Sequence, residues 1–230
     1  MNKLIEKADT SKYLKRIKKI KEIIFARFPE DIVIKRASNY DEIVQAYRLV
    51  HDTYVKKGFI DSYLSGMRIR VFDAVPQMAI HIAMKEGKVI ATNSFCKDSE
   101  LGLPSEKVFP KEIDELRKKG VIGEFTNCSV HPDFCNTGVS AEIMRCSFSY
   151  AYYKGCDYTV AVVSPAHKEF YKINLFDVLA DGRNSSEKDG DIVVAMVQNL
   201  NDLEERAIQE DKKRGKEAAF LHKFWFEENF

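Results

Sequence analysis

The sequence predicts an α/β fold, a mixed sheet flanked by helices, and three stretches carry that prediction. Gly123 to Phe176 alternates strand and helix without a gap, the order of a βαβα unit. Met78 to Met84 and Lys88 to Cys96 are apolar-rich runs separated by Lys85-Glu86-Gly87, whose polar and glycine character suits a tight hairpin turn. Asp177 to Ala180 and Asp191 to Val197 read as two closing strands, with Asp181 to Gly190 as a polar connection.

Bulk composition sets the frame. The 230 residues contain no Pro/Gly/Ser-rich linker, so one domain with helical additions at both ends is expected. With 45% hydrophobic and 31% charged residues the chain can bury a sizeable core and stay in solution. No apolar run approaches the roughly 20 residues of a membrane span, and the charged start lacks the apolar core of a secretory leader. The five cysteines show no metal-type CxxC spacing, which argues for reduced thiols in a cytoplasm and for no metal site. A net charge of +1 gives no global pull towards nucleic acid.

Residues 1–30 are expected to form a basic amphipathic extension. Tyr13, Ile17, Ile20, Ile24 and Phe28 fall on one helical face before Pro29, and nine Lys/Arg outweigh Glu6, Asp9 and Glu22. Such a helix packs through its apolar face, or docks on an acidic partner or, weakly, on an anionic membrane surface. The domain proper is expected over 31–200. Asp31 to Ala37 is β-branched enough for a first strand, and Ser38 or Asn39 suits the cap of a helix whose face is Ile43, Ala46, Tyr47, Val50 and Tyr54. His51 lies among them and reads as an ordinary helix histidine. Gly58, Gly66 and Pro76 interrupt the next stretch, expected as short helix and loop beside the acceptor. Residues 97–120 form an insertion with Pro104 and Pro110 and a charged helix from Lys111 to Lys119. Residues 201–230 are a charged helical tail whose Phe220, Leu221, Phe224 and Trp225 pack on the domain.

The βαβα unit carries the chemistry. Its strand runs from Gly123 to the stop at Pro132, and Asp133 to Ser140 is a loop whose Gly138 permits close backbone approach where a helix begins. Free NH groups at such a helix start suit a phosphate. Val130, Pro132, Gly138 and Ser140 resemble the acyl-donor motif of the GNAT superfamily of N-acyltransferases, and Pro165 to Phe176, with Tyr171 five residues before Phe176, is similar to that superfamily's second signature. Gly102 to Gly120, running into Glu124, resembles a narrower branch, the long-chain N-acyl amino acid synthases related to the acyl-homoserine-lactone synthases. The broad resemblance spans Ile32 to Val197.

The resemblance implies a sheet splayed at its centre, with backbone NH groups near Cys128, Ser129 and Val130 holding a thioester oxygen. It also implies an acyl-phosphopantetheine donor, acyl carrier protein or coenzyme A, held by Asn136, Thr137, Gly138, Val139 and Ser140 and touched by His167. Glu124 is the expected base, acting through water with a pKa raised by burial; its alternative is a strand-edge salt bridge. Strand alternation puts Glu124, Thr126, Cys128 and Val130 on one side. Tyr171 is the expected acid for the leaving sulfur; its alternative is a core aromatic. Cys128 has no evident base to make it a nucleophile. Where coenzyme A-using members carry Arg or Gln and a second Gly, this chain has Cys135 and Asn136, a thinner phosphate cradle that favours acyl carrier protein. The expected activity is acyl transfer, long-chain by resemblance, to the amine of an amino acid or similar small molecule. An acetyl-CoA-dependent acetyltransferase and a non-catalytic acyl-binding protein stand beside it.

Overall fold

The computed structural model describes residues 17–18, 29, 31–185, 187–188 and 190–227. Among these, seven strands form one sheet: β1 (Ile32–Arg36), β2 (Met78–Lys85), β3 (Lys88–Lys97), β4 (Ile122–Val130), β5 (Tyr158–Val163), β6 (Asp177–Asn184) and β7 (Ile192–Asn199), in the spatial order β1-β2-β3-β4-β5-β7-β6. Neighbours are antiparallel except β4 and β5. The β2-β3 turn is tighter than expected: Lys85 pairs with Lys88, leaving Glu86 (φ 49°) and Gly87 (φ 75°) in left-handed conformations that match strand twist.

One face of the sheet carries α1 (Tyr40–Lys56), whose N-cap Asn39 accepts the Glu42 NH at 3.0 Å. Ala46 and Tyr47 bury their apolar surface against Ile80, Ile82 and Val89. His51 is structural, its Nε2 accepting the Tyr63 NH at 3.0 Å. The insertion covers the same face further along. Its Leu103, the Phe109 ring and Ile113 of α2 (Pro110–Arg117) pack on Cys96, Ile122 and Val160. The opposite face carries α3 (Val139–Tyr153) and α4 (Lys168–Ile173), with the tail beyond them. That tail is two helices, α5 (Leu203–Arg214) and α6 (Leu221–Phe226), broken at Gly215 with φ 73°. Leu203, Phe220, Leu221 and Phe224 join Phe95 and Phe148 in one core, each large side chain contributing about 1.5–3 kcal/mol.

Two irregularities define the centre of the sheet. The β4-β5 ladder runs from Ile122 opposite Tyr158 to Phe125 opposite Ala161 and stops there, although β4 continues to Val130 and β5 to Val163. The two strands therefore fork, as the expected splay requires. On the other edge of β4 the register with β3 slips between Thr92 and Ser94, and Asn127 takes φ 53°. This bulge inserts one residue and breaks the expected alternation. Val130 packs with Val139 and Ile143 on the α3 face, whereas Glu124 lies beneath Ser105 on the α1 face, so the two do not share a side.

The expected amphipathic helix and the 1–30 extension lie outside the described residues except for Ile17, Lys18 and Pro29. Ile17 is fully buried in the α3-face core, and Lys18 pairs with Glu217. Among the described residues no helix is long and apolar enough to cross a membrane.

Candidate active site

Glu124 stands opposite Val160, one residue before the fork opens. It is 3% exposed, and Oε2 accepts the Ser105 NH at 2.8 Å. Burial pushes its pKa up to about 7, against the lowering pull of the Ser105 hydrogen bond and the Arg70 guanidinium. A carboxyl that switches near neutrality is suited to taking a proton from an amine. Beside it on β3, Cys96 is pushed up to about 12, first by burial and then by the Glu124 charge.

Tyr171 arrives from the opposite face. On α4 it packs against the Phe176 ring at 5.0 Å between centroids and lines a narrow cavity with Phe125 and Phe148. Burial raises its pKa, and the nearby Cys128 and Tyr54 raise it further, so the phenol keeps its proton. Tyr54 belongs to α1, on the Glu124 face. Tyr54 and Tyr171, one from each layer, both lie close enough to Cys128 for their charges to be felt there, beside the point where the ladder ends. The Cys128 thiol is also held protonated by burial, the state of an inert cysteine. Glu124 and Tyr171 flank the fork from opposite faces, and Glu124 is not among the residues that line the Tyr171 cavity. His167 is exposed at the start of α4, its pKa lowered by partial desolvation and then by the Lys57 ammonium.

The loop before α3 holds two left-handed residues. Asn136 takes φ 65° and Gly138 φ 83°. Asparagine tolerates the left-handed region better than other non-glycine residues, so replacing glycine at 136 changes the side chain and leaves the turn intact. Thr137 Oγ1 donates to the Phe134 carbonyl at 2.7 Å, which commits that hydroxyl to the loop. Val139 is fully buried and can offer only backbone, whereas Ser140 is partly exposed at the helix start. Of the β4 residues expected to hold the thioester, Ser129 turns its hydroxyl to the Leu49 carbonyl at 3.3 Å. Thr126 to Val130 have no ladder partner in β5.

A buried ionic chain on the Glu124 face is absent from the sequence reading. Arg68, 4% exposed, donates to Asn127 Oδ1 and bidentately to Glu187, with its Nε at 3.0 Å from Oε2. Asn127 Nδ2 donates to Asp73 Oδ1 at 3.1 Å, and Asp73 accepts the Arg70 backbone NH at 2.7 Å. Arg68 also lies over the Tyr54 ring, 5.1 Å from its centroid. The chain ties the 58–76 loop to the β4 bulge. Its one sequence signal is Arg68-Ile-Arg70 followed by Asp73, a charge pattern that reads as solvated until burial is known.

The sequence profile of the N-acyl amino acid synthase FeeM family matches residues 45–199. The fold is similar to the solved structure of FeeM, an N-acyl amino acid synthase from uncultured soil microbes, at 18% identity with a TM-score of 0.67, covering 76% of this chain and 93% of that one. It is similar also to BjaI, a CoA-dependent acyl-homoserine lactone synthase, at 15% identity and a TM-score of 0.57, covering 76% and 89% of the two chains. The AHL synthase LasI aligns at 17% identity and a TM-score of 0.55, covering 74% and 89%. A sequence search of curated proteins finds no match.

Proposed function

The chain belongs to the FeeM family of N-acyl amino acid synthases, and from that premise we propose that this N-acyltransferase moves a long-chain acyl group from a phosphopantetheine thioester, preferably on acyl carrier protein, to the amino group of an amino acid. The observation that carries this reading is the fork after Phe125 and Ala161, with a buried carboxyl on one side and a partly buried phenol on the other.

The donor enters along the loop at the start of α3, where the left-handed turns at Asn136 and Gly138 present backbone NH groups to a phosphate. The loop adds no cation, which suits the single phosphate of a carrier-protein arm better than the pyrophosphate of coenzyme A. The thioester carbonyl lies in the fork against the unpaired edge of β4 near Cys128, Ser129 and Val130. The acceptor comes from the α1 face. There Arg70, whose side-chain contacts to Asp73 are long at 3.4 and 3.5 Å, faces the acceptor carboxylate, a geometry guanidinium suits.

In the reaction the amine nitrogen bonds to the acyl carbon and the carbon–sulfur bond breaks. Glu124 takes the amine proton through water, and Tyr171 gives its proton to the leaving sulfur. Re-equilibration with solvent restores both groups. The basic residues of the N-terminal segment complement the acidic surface of a carrier protein.

The test is incubation with acyl carrier protein and coenzyme A thioesters and mixed amino acids, read by mass spectrometry. N-acyl amino acids formed faster from the carrier-protein thioester are expected. Acetylated amines alone would replace this reading with the acetyltransferase, and bound lipid without turnover would replace it with an acyl-binding protein.

A further inference from the structure

On the α3 face Phe125, Phe148, Phe176 and Tyr171 line a cavity of about 10 Å³ together with Gln198 and Trp225. That volume holds about one water molecule. Phe125 is the last β4 residue paired to β5, so the cavity starts where the fork opens. An acyl chain leaving a carbonyl in the fork on the Tyr171 side meets this aromatic lining first. The space available does not admit a long chain unless a wall moves.

Trp225 is the largest side chain in that lining. Among the described residues its Nε1 is buried without a hydrogen-bond partner, and so is Gln198 Oε1. Gln198 is fixed by its other end, Nε2 donating to the Asn174 carbonyl at 2.8 Å. The indole is placed by packing, with Phe148 and Phe224 each 4.7 Å away between ring centroids. It rides on the six-residue α6, whose start is clamped by the Asp211 carboxylate accepting the NH groups of Phe220, Leu221 and His222 at 2.9, 3.0 and 2.9 Å. The clamp holds one end of the helix, and Trp225 sits near the other. Leaving the cavity costs the indole no hydrogen bond at Nε1 and restores one with water. The helix lies beyond the residues matched by the family profile, which end at 199.

We propose that Trp225 sets the acyl length this chain accepts: short chains stop against the indole, and longer ones bind only by displacing it from the cavity. This rests on the reading of the fork as the donor site. The chain has one tryptophan, so fluorescence excited beyond the tyrosine absorption band reports Trp225 alone. The experiment titrates the full chain with S-alkyl phosphopantetheine thioethers from ethyl to hexadecyl, following emission and, separately, binding heat.

Binding heat along the series is expected, with emission unchanged for the short members and shifted to the red beyond one chain length. Trp225→Ala should bind the longest thioethers on the order of tenfold tighter and the short ones unchanged. Trp225→Phe, which keeps an aromatic packed on Phe148, should fall between them, and far-UV circular dichroism checks that both variants fold. Heat along the whole series with constant emission and an unaltered profile in both variants overturns the role of Trp225 and leaves the acyl-transfer reading standing. No heat with any thioether overturns both.

Discussion

The Ser105 backbone NH donates to Glu124 Oε2 at 2.8 Å, so the insertion that covers the α1 face also holds the carboxyl at the fork. That carboxyl has a folded pKa of about 7 against an ordinary 4.5, because burial outweighs the hydrogen bond. The folded chain therefore binds this proton more tightly than the unfolded one. The resulting stability is fully present below pH 4.5 and lost as pH rises through 7, a difference of roughly 3 kcal/mol at about 1.4 kcal/mol per pH unit. His81, held down to about 4 by burial, acts with the opposite sign, adding stability as pH rises from 4 to 6.5. Glu124→Gln removes the first contribution and leaves the second. The urea midpoint of the wild type minus that of the variant should thus be larger at pH 4.5 than at pH 8, and the variant should show only the rise. In activity, kcat/KM of the wild type should climb with pH around 7, and the variant should lose about 10²–10⁴-fold together with that limb.

Tyr171 and Cys128 are separated by a second pair of substitutions. If the phenol protonates the sulfur, Tyr171→Phe lowers kcat by about 10²-fold or more while the donor binds as before. Cys128→Ala should keep its activity, since the thiol stays protonated and no acyl-enzyme forms. Single-turnover kinetics and intact-mass measurement check both. A protein mass increased by the acyl group in the wild type and absent in Cys128→Ala would reverse the assignment.

The sheet was legible because its signals are local. Apolar-rich and β-branched runs, the polar Lys85-Glu86-Gly87 break and the stop at Pro132 place strands within a few residues of where they lie. The fork came only by resemblance, since nothing in Gly123 to Val130 or Tyr158 to Val163 says where a ladder ends. The bulge was missed for a physical reason: Asn127 in a run of strand formers gives no warning of φ 53°. The partners its side chain meets there, Arg68 and Asp73, are more than fifty residues away in sequence. Arg68 and Arg70 were unreadable for the same reason. Loop arginines look solvated until a strand and a hairpin connection close over them.

Gly123 is a site where packing leaves no choice. A Cβ there would stand 2.3 Å from Phe95 Cζ, inside a core where Phe95 is fully buried. Gly123→Ala must displace that ring or the strand, and about 1–3 kcal/mol of destabilisation is expected. The Phe95→Leu background, which frees space, should recover part of it in a thermal-denaturation double-mutant cycle. Additivity in that cycle would show that the ring is not the obstacle.

Asn127 joins conformation and charge in one residue, and two substitutions separate them. Asn127→Gly keeps the left-handed φ available and deletes the hydrogen bonds to Arg68 and Asp73. Asn127→Ala deletes the same bonds and keeps a Cβ in that region, a cost of about 1 kcal/mol that the glycine variant is spared. Both leave the buried Arg68 short of a partner, which costs roughly 1–3 kcal/mol. Both should therefore be less stable than the wild type, the alanine variant more so. Activity should order differently from stability if the bulge aims the β4 NH groups at the thioester: the glycine variant retains the aim and loses mainly acceptor affinity through the loosened 58–76 loop, while the alanine variant loses kcat as well. Chemical denaturation paired with kcat and KM for the acceptor resolves the two effects. Equal kcat in the two variants would mean that the strand holds its kink without help from residue 127, and that the ionic chain serves the acceptor alone.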